Sequence, residues 1–115
     1  MIKLTLPAPP TVNTYYRRNK GQGMHISPRG KQYRADVMQI CAQANVKPFT
    51  GRLALKIGYA PPDRRKRDID NIIKAVQDSL AYGGCMLDDE QVDDLHVVRL
   101  PVEKFGAAII ELSEI

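Results

Sequence analysis

Residues 52–59 read RLALKIGY, and this stretch decides how the rest of the chain is organised. Apolar side chains stand at every second position, at Leu53, Leu55, Ile57 and Tyr59. Because successive side chains of a β-strand point to opposite faces, this alternation predicts a strand with one buried face. The prolines at positions 61 and 62 end it, because proline has no N–H to give to a sheet.

Patterns on either side of this strand predict three more strands and two long helices. The additional strands are expected at Ile2–Leu6, at residues 95–102 and at residues 107–112. The first helix begins at Ser27 and Pro28, because serine caps the first amides and proline suits the first turn. Its apolar stripe consists of Val37, Ile40, Cys41 and Ala44.

The second helix has an apolar stripe that runs from Ile69 to Leu80, and the glycines at 83 and 84 end it. No βαβ unit repeats along the chain. The pattern therefore predicts a single α+β domain over residues 1–115, with a four-stranded sheet that carries its two main helices on one face.

Length and composition exclude several classes of protein. The chain has 115 residues, of which 43% are hydrophobic and 26% charged, so neither a multi-domain enzyme nor a disordered chain is expected. No stretch approaches the ~18 apolar residues of a membrane span, and the N-terminus has no signal-peptide core. Cys41 and Cys85 are not spaced with the two histidines as zinc ligands. We therefore expect a cytoplasmic protein with reduced thiols, no membrane contact and no organic cofactor.

Charge is distributed unevenly along the chain. Residues 1–67 hold 14 Lys and Arg against two acids, a balance of +12. The remainder holds three cations against 11 acids, a balance of −8, and five of those acids fall within residues 88–94, which we call the acidic segment. This division predicts a surface that attracts polyanions beside an acidic site that repels them unless a cation intervenes.

Two carboxylates directly follow a basic run in residues 63–74, DRRKRDIDNIIK. In a continuous helix Asp68 and Asp70 would project about 200° apart, because each residue advances ~100°. If Asp68 is extended and Asp70 lies in the first turn, both carboxylates can converge on one cation, with Lys74 on the same helix face as Asp70. Hard ions such as Mg²⁺ take oxygen ligands. The acids at residues 88–90 offer the third ligand.

The same residues also have ordinary structural explanations, between which spacing alone does not choose. Asp68 suits a helix N-cap, and Asp70 with Lys74 suits a helix ion pair of about 0.3–0.5 kcal/mol. The acidic segment suits plain solvent exposure. Two other acidic motifs fit less well: an aspartyl-phosphate motif needs a buried strand where this chain has RRKR, and an EF-hand needs a ligand where it has Ile72.

Basic and aromatic side chains predict contacts with nucleic acid, since cations bind phosphates and tyrosine rings stack on exposed bases. Tyrosine packing and solvated cations are the structural alternatives. The candidate residues are Tyr15, Tyr16, Arg17, Arg18, Lys20, Arg64, Arg65, Lys66 and Arg67.

Four blocks of the sequence resemble the RusA family of Holliday junction resolvases. They are LPAPPTVNTYYR at 6–17, SPRGKQYR at 27–34, PPDRRKRDIDNIIKAVQD at 61–78 and LDDEQV at 87–92. The blocks occur in order over nearly the whole chain, and the last two are specific in combination. The resemblance implies a small homodimer with a mixed sheet, encoded by a phage or prophage.

The resemblance also implies an activity and particular roles. The expected activity is Mg²⁺-dependent cleavage of branched DNA, with paired symmetric nicks that resolve four-way junctions in recombination and repair, and with Mn²⁺ as a substitute ion. Asp68, Asp70 and Asp89 match the metal-binding catalytic carboxylates, Lys74 matches the catalytic lysine, and Asp88 is a supporting candidate. Two alternatives stay open: a related nuclease that acts on flaps or replication forks, and a non-catalytic DNA-binding module.

Overall fold

The computed structural model describes residues 1–19, 21 and 23–115, and it places a strand where the sequence alternates most strictly. Two short 3₁₀ helices, Ile69–Ile72 and Asp89–Gln91, accompany the main elements. In chain order those elements are β1 (Ile2–Leu6), α1 (Val12–Tyr15), β2 (Tyr16–Asn19), β3 (Gly23–Ile26), α2 (Pro28–Gln43), β4 (Leu53–Ala60), α3 (Ile73–Tyr82), β5 (Val92–Arg99) and β6 (Ala107–Glu114).

The main sheet has four strands in the order β1-β6-β4-β5. Strand β6 pairs antiparallel with both β1 and β4, whereas β5 pairs parallel with β4. The sheet is therefore mixed, and the predicted α+β fold with a four-stranded sheet and two main helices is confirmed. No helix among the described residues is both long enough and apolar enough to cross a membrane.

One hydrophobic core lies between the sheet and the two long helices. The alternating side chains of β4 are at most 2% exposed, as the sequence pattern predicts. Helix α2 contributes Tyr33, Val37 and Cys41, and α3 contributes Val76 and Leu80. On the other face of β4, Lys56 is exposed. Burial of the apolar face explains the alternation in residues 52–59, although on the other face only Lys56 is exposed and Gly58 is buried.

Helix α2 begins where the sequence predicts. Ser27 is its N-cap, and the Ser27 Oγ accepts a hydrogen bond from the Gly30 N–H at 3.0 Å. The Ser27 hydroxyl also donates to the backbone oxygen of Tyr15 at 3.0 Å. The cap therefore fastens the start of α2 to the end of α1.

Three features differ from the sequence-based prediction. The hairpin β2–β3 and the short α1 were not predicted, because their sequence lacks a clear apolar period. Strand β5 covers Val92–Arg99 rather than 95–102. Its pairing with β4 shifts register between Leu53 and Ala54, which leaves Asp93 without a partner in the ladder. This bulge, in an edge strand whose side chains are mostly exposed, breaks the alternation on which the prediction depended.

We expect Leu55→Ala to lower the free energy of unfolding by about 2–5 kcal/mol, because it removes buried methyl groups and leaves a cavity. Urea denaturation measures the loss. The matched control is Lys56→Ala, which breaks only an exposed ion pair with Glu111 and is expected to cost about 0–1 kcal/mol. Equal losses in the two variants would contradict the assignment of the buried face.

Candidate active site

Asp68 and Asp70 have the backbone arrangement that convergence on a cation requires. Asp68 is extended, with φ −94° and ψ 129°, at the N-cap position of the 3₁₀ helix Ile69–Ile72. Asp70 lies in the first turn of that helix, and both residues are exposed. The Asp68 side chain makes no capping hydrogen bond there, so the N-cap explanation does not account for its carboxylate.

Lys74 lies in the first turn of α3 and contacts the acidic segment. The Lys74 Nζ donates a hydrogen bond to the Asp89 Oδ2 at 3.0 Å. This hydrogen bond is the main cause of a raised pKa for the Lys74 ammonium, which therefore stays charged at neutral pH. Lys74 thus pairs across the fold with Asp89, in place of the local pair with Asp70 that we considered as an alternative. Lys74 and Asp89 are 15 residues apart in sequence, and the fold brings them together.

The acidic segment begins with a capping box. The Asp88 Oδ1 accepts a hydrogen bond from the Glu90 N–H at 3.0 Å, and this bond is the first cause of a lowered pKa for Asp88. The Gln91 side chain returns to the backbone N–H of Asp88, also at 3.0 Å. Asp88 therefore shapes the turn on which Asp89 stands, consistent with a supporting role.

Gln91 is a buried polar anchor that the sequence analysis missed. Its Oε1 accepts the backbone N–H groups of Leu87 and Asp88, at 2.7 and 3.0 Å. Its Nε2 donates to the backbone oxygens of Phe49 and Gly51, at 3.0 and 2.8 Å. One amide thus fastens the turn that carries Asp89 to the chain just before β4. A glutamine three residues after an N-cap aspartate was the available signal.

Arg52 holds the other end of the acidic segment. Its guanidinium donates to both carboxylate oxygens of Asp93, at 3.0 and 2.5 Å, and to both oxygens of Glu90, at 3.2 and 3.1 Å. The hydrogen bond from Arg52 is the first cause of a lowered pKa for Asp93. The acidic segment is therefore held by the hydrogen bonds of Arg52, so plain solvent exposure does not describe it.

The structure does not by itself assemble the predicted three-carboxylate site. Within residues 1–19, 21 and 23–115, no group of three or more His, Cys, Asp or Glu side chains is close enough together to hold a metal ion. The structure positions Asp89 against Lys74, at the start of the helix that follows Asp68 and Asp70. Metal binding by the three aspartates therefore stays a prediction.

In the basic run at residues 64–67, one side chain pairs within the protein and three are exposed. Arg67 is only 21% exposed, and its guanidinium contacts Asp63 with an Nη1–Oδ1 distance of 2.5 Å. This hydrogen bond is the main cause of the low pKa of Asp63, about 2. Residues 64–66 are exposed and remain candidate phosphate contacts. The residues that line a cavity of about 260 Å³ include Lys66, Asp68 and Asn71.

The two adjacent tyrosines have different environments. Tyr15 is 0% exposed and its hydroxyl donates to the Asp78 carboxylate. The prediction that Tyr15 stacks on a base is wrong, because its ring is part of the core. Tyr16 is half-buried and packs edge-on against Tyr15, with 5.0 Å between ring centroids and an angle of 87°. Burial raises the pKa of the Tyr16 hydroxyl, and the nearby charge of Lys74 lowers it.

Two of the remaining predicted contacts lie on the hairpin. Arg17 and Arg18 are exposed on β2, opposite His25 and Met24 of β3. Lys20 lies outside the residues that the structure describes. The exposed arginines remain candidates for DNA contacts.

The fold and this arrangement of residues agree with a nuclease family. The sequence model of the family described as Endodeoxyribonuclease RusA matches residues 7–113, so the chain belongs to the RusA family of endodeoxyribonucleases.

Individual relatives resemble the chain over nearly their whole length. A protein of Enterobacteria phage HK97 named crossover junction endodeoxyribonuclease rusA is 44% identical, over 98% of this chain and 97% of its own. The proteins of the same name from Shigella sonnei strain Ss046 and Escherichia coli strain K12 are 42% and 41% identical, over 96% of this chain and 92% of theirs.

We expect Gln91→Ala to lower the free energy of unfolding by about 2–4 kcal/mol, because it leaves buried backbone groups without hydrogen-bond partners. Thermal or urea denaturation measures the loss. Gln39→Ala, on the exposed face of α2, is the control and should change stability by no more than about 0.5 kcal/mol. A Gln91→Ala variant as stable as the control would show that the anchor does not hold the turn.

Arg67→Gln should raise the pKa of Asp63 from about 2 towards its ordinary value of ~3.9, because the principal hydrogen-bond donor is removed. The pKa of Asp63 is lower in the folded chain than in the unfolded chain. Its contribution to stability is therefore present above pH ~4 and is lost as the pH falls through about 2. Carbon-13 NMR of the Asp63 carboxyl measures the shift. Arg64→Gln is the control, and an equal effect there would contradict the specific pairing.

Proposed function

We propose that this protein is a Mg²⁺-dependent endodeoxyribonuclease that resolves Holliday junctions by paired symmetric nicks during DNA recombination and repair. The observation that carries the proposal is the 3.0 Å hydrogen bond between Lys74 and Asp89. It brings Asp89 against the first turn of α3, the helix that follows Asp68 and Asp70, and this contact supports one shared site. The names of the phage and bacterial relatives, crossover junction endodeoxyribonucleases, support the same substrate.

Asp68, Asp70 and Asp89 are the residues that would hold the metal. An all-oxygen donor set fits Mg²⁺, and also Mn²⁺ as a substitute, because both ions take carboxylate and water ligands. Asp68 and Asp70 are exposed at the start of a helix, and the Asp68 carboxylate is not used for capping. A divalent ion bound to these residues would supply a Lewis acid for a phosphate oxygen and would lower the pKa of a bound water.

Lys74 supplies the fixed positive charge of the proposed site. Its raised pKa keeps the ammonium protonated at neutral pH, and its hydrogen bond to Asp89 restricts where the charge lies. A positioned cation stabilises the negative charge that grows on a phosphate during cleavage. Lys74 therefore both orients Asp89 and acts on the scissile phosphate.

Exposed cations from two parts of the chain would hold the DNA backbone. Residues 64–66 precede Asp68, and Arg17 with Arg18 project from the hairpin beside Tyr16. Each phosphate that such a side chain neutralises steepens the fall of log affinity with log salt concentration by about 0.9 for duplex DNA. Symmetric nicks on two strands need two equivalent sites, which a homodimer with twofold symmetry supplies. The proposed location is the cytoplasm of a bacterium, with a gene of phage or prophage origin.

We expect Asp70→Asn to abolish Mg²⁺-dependent cleavage of a four-way junction, by at least about 100-fold, while binding to the junction persists. The amide removes a charge that attracts the metal, yet it also removes a repulsion towards phosphate. Cleavage of a labelled junction and gel-shift binding, each with and without Mg²⁺, measure the two effects.

Asp36→Asn is the matched control, because Asp36 lies on α2 and bonds only locally to Gln32 among the described residues. The control should cut as the unmodified protein does. Full cleavage by Asp70→Asn would refute its proposed role.

A comparison of substrates distinguishes the proposed function from its alternatives. Four-way junction, fork, flap and linear duplex of matched sequence are incubated with the protein at one salt concentration. Preferential nicking of the junction at symmetric positions is expected. Faster cutting of forks or flaps would show that these structures, and not four-way junctions, are the preferred substrate. Binding with no product in Mg²⁺ or Mn²⁺ would identify a non-catalytic DNA-binding module.

A further inference from the structure

Two thiols outside the proposed active site face each other in the core. Cys41 lies in the last turn of α2, and Cys85 lies in the turn after α3. Their sulfur atoms are 2.8 Å apart, although the residues are 44 positions apart in sequence. Cys41 is 1% exposed and Cys85 is 0% exposed. A disulfide has a sulfur–sulfur distance of ~2.03–2.05 Å, so only a small side-chain movement separates this pair from a covalent bond.

The two thiols are in direct contact, and either sulfur can donate the hydrogen bond between them. Whichever thiol loses its proton is the nucleophile, since the thiolate is the reactive form, and its neighbour lies within reach of the oxidised sulfur. This is the arrangement of an attacking and a resolving cysteine.

We propose that Cys41 and Cys85 form a redox-active dithiol that a hydroperoxide converts into a reversible disulfide. This disulfide would link α2 covalently to the turn that precedes the acidic segment. In one of the two equivalent orders, the Cys41 thiolate attacks one peroxide oxygen, the O–O bond breaks, and the departing oxygen takes the proton that Cys41 released. Cys85 then attacks the sulfenic sulfur of Cys41, and the hydroxyl leaves as water with the proton of Cys85. Two thiols are oxidised by two electrons, and hydrogen peroxide is reduced to two waters.

The disulfide would restrain the part of the chain that carries Asp89. The backbone oxygen of Cys85 accepts the Phe49 N–H at 3.0 Å, and Gln91 bonds to the oxygen of the same Phe49 at 3.0 Å. Residues 85–91 are therefore joined at both ends to the chain before β4. A covalent bond to α2 restricts the unfolded chain by closing a long loop, so it stabilises the fold. Because the sulfurs move little, the Lys74–Asp89 contact should survive oxidation.

Hydrogen peroxide applied to the whole reduced protein tests the proposal. Intact mass should fall by two hydrogens per chain, a peptide map should show residues 41 and 85 cross-linked, and dithiothreitol should reverse both changes. The thermal midpoint of the oxidised form should rise by at least about 5 °C. Because both sulfurs are buried, oxidation should proceed through local opening and should accelerate in mild urea.

Cys41→Ala and Cys85→Ala are the matched variants. Each is compared with itself before and after peroxide, so a loss of stability from the substitution does not affect the result. Neither should gain thermal stability on oxidation. The proposal is overturned if the unmodified protein gains only oxygen, forms disulfides between chains, or is cross-linked at these cysteines without a rise in its midpoint.

Discussion

The hydrogen bond from the Lys74 ammonium to the Asp89 carboxylate is the contact around which the proposed site is built. It joins the first turn of α3 to the turn before β5, at an Nζ–Oδ2 distance of 3.0 Å. Carboxylates brought together repel one another, and a cation among them reduces that repulsion. Lys74 places such a cation beside Asp89, and a divalent ion held by the three aspartates would add a second.

The scaffold keeps Asp89 in place through partners from the basic half of the chain. Arg52 binds Glu90 and Asp93, and Gln91 joins the same turn to the backbone before β4. The uneven charge of the sequence thus has a structural reason, because an arginine of the first half neutralises acids of the second half. Exposed ion pairs of this kind add little stability individually. Their value here lies in fixing the direction of the acidic segment beside Asp89.

Much of the fold was predictable because its strands are half-buried. The alternation in residues 52–59 follows from a sheet with one face in the core, and the cap at Ser27 follows from the need to satisfy free amides. Strand β5 was misplaced because the bulge at Asp93 breaks that alternation. Tyr15 was misassigned because the sequence places a buried tyrosine and an accessible one side by side, both next to arginines.

The site was predictable to a smaller extent. The spacing of Asp68 and Asp70 allows convergence only if an extended Asp68 precedes a first helical turn, and the structure has that arrangement. The contact of Lys74 with Asp89 depends on how the chain returns after α3, which no local pattern encodes. Gln91 and Arg52 were missed because their partners are backbone groups and acids from other parts of the chain.

The most direct measurement is a titration of nitrogen-15-labelled protein with Mn²⁺, followed by NMR. A paramagnetic ion broadens the signals of nearby amides. If the three aspartates hold one cation site, amides of residues 68–71 and of residues 88–90 lose intensity together at the lowest Mn²⁺ concentrations, and excess Mg²⁺ restores them. Broadening confined to one of the two segments, or spread over all acidic residues alike, would contradict the shared site.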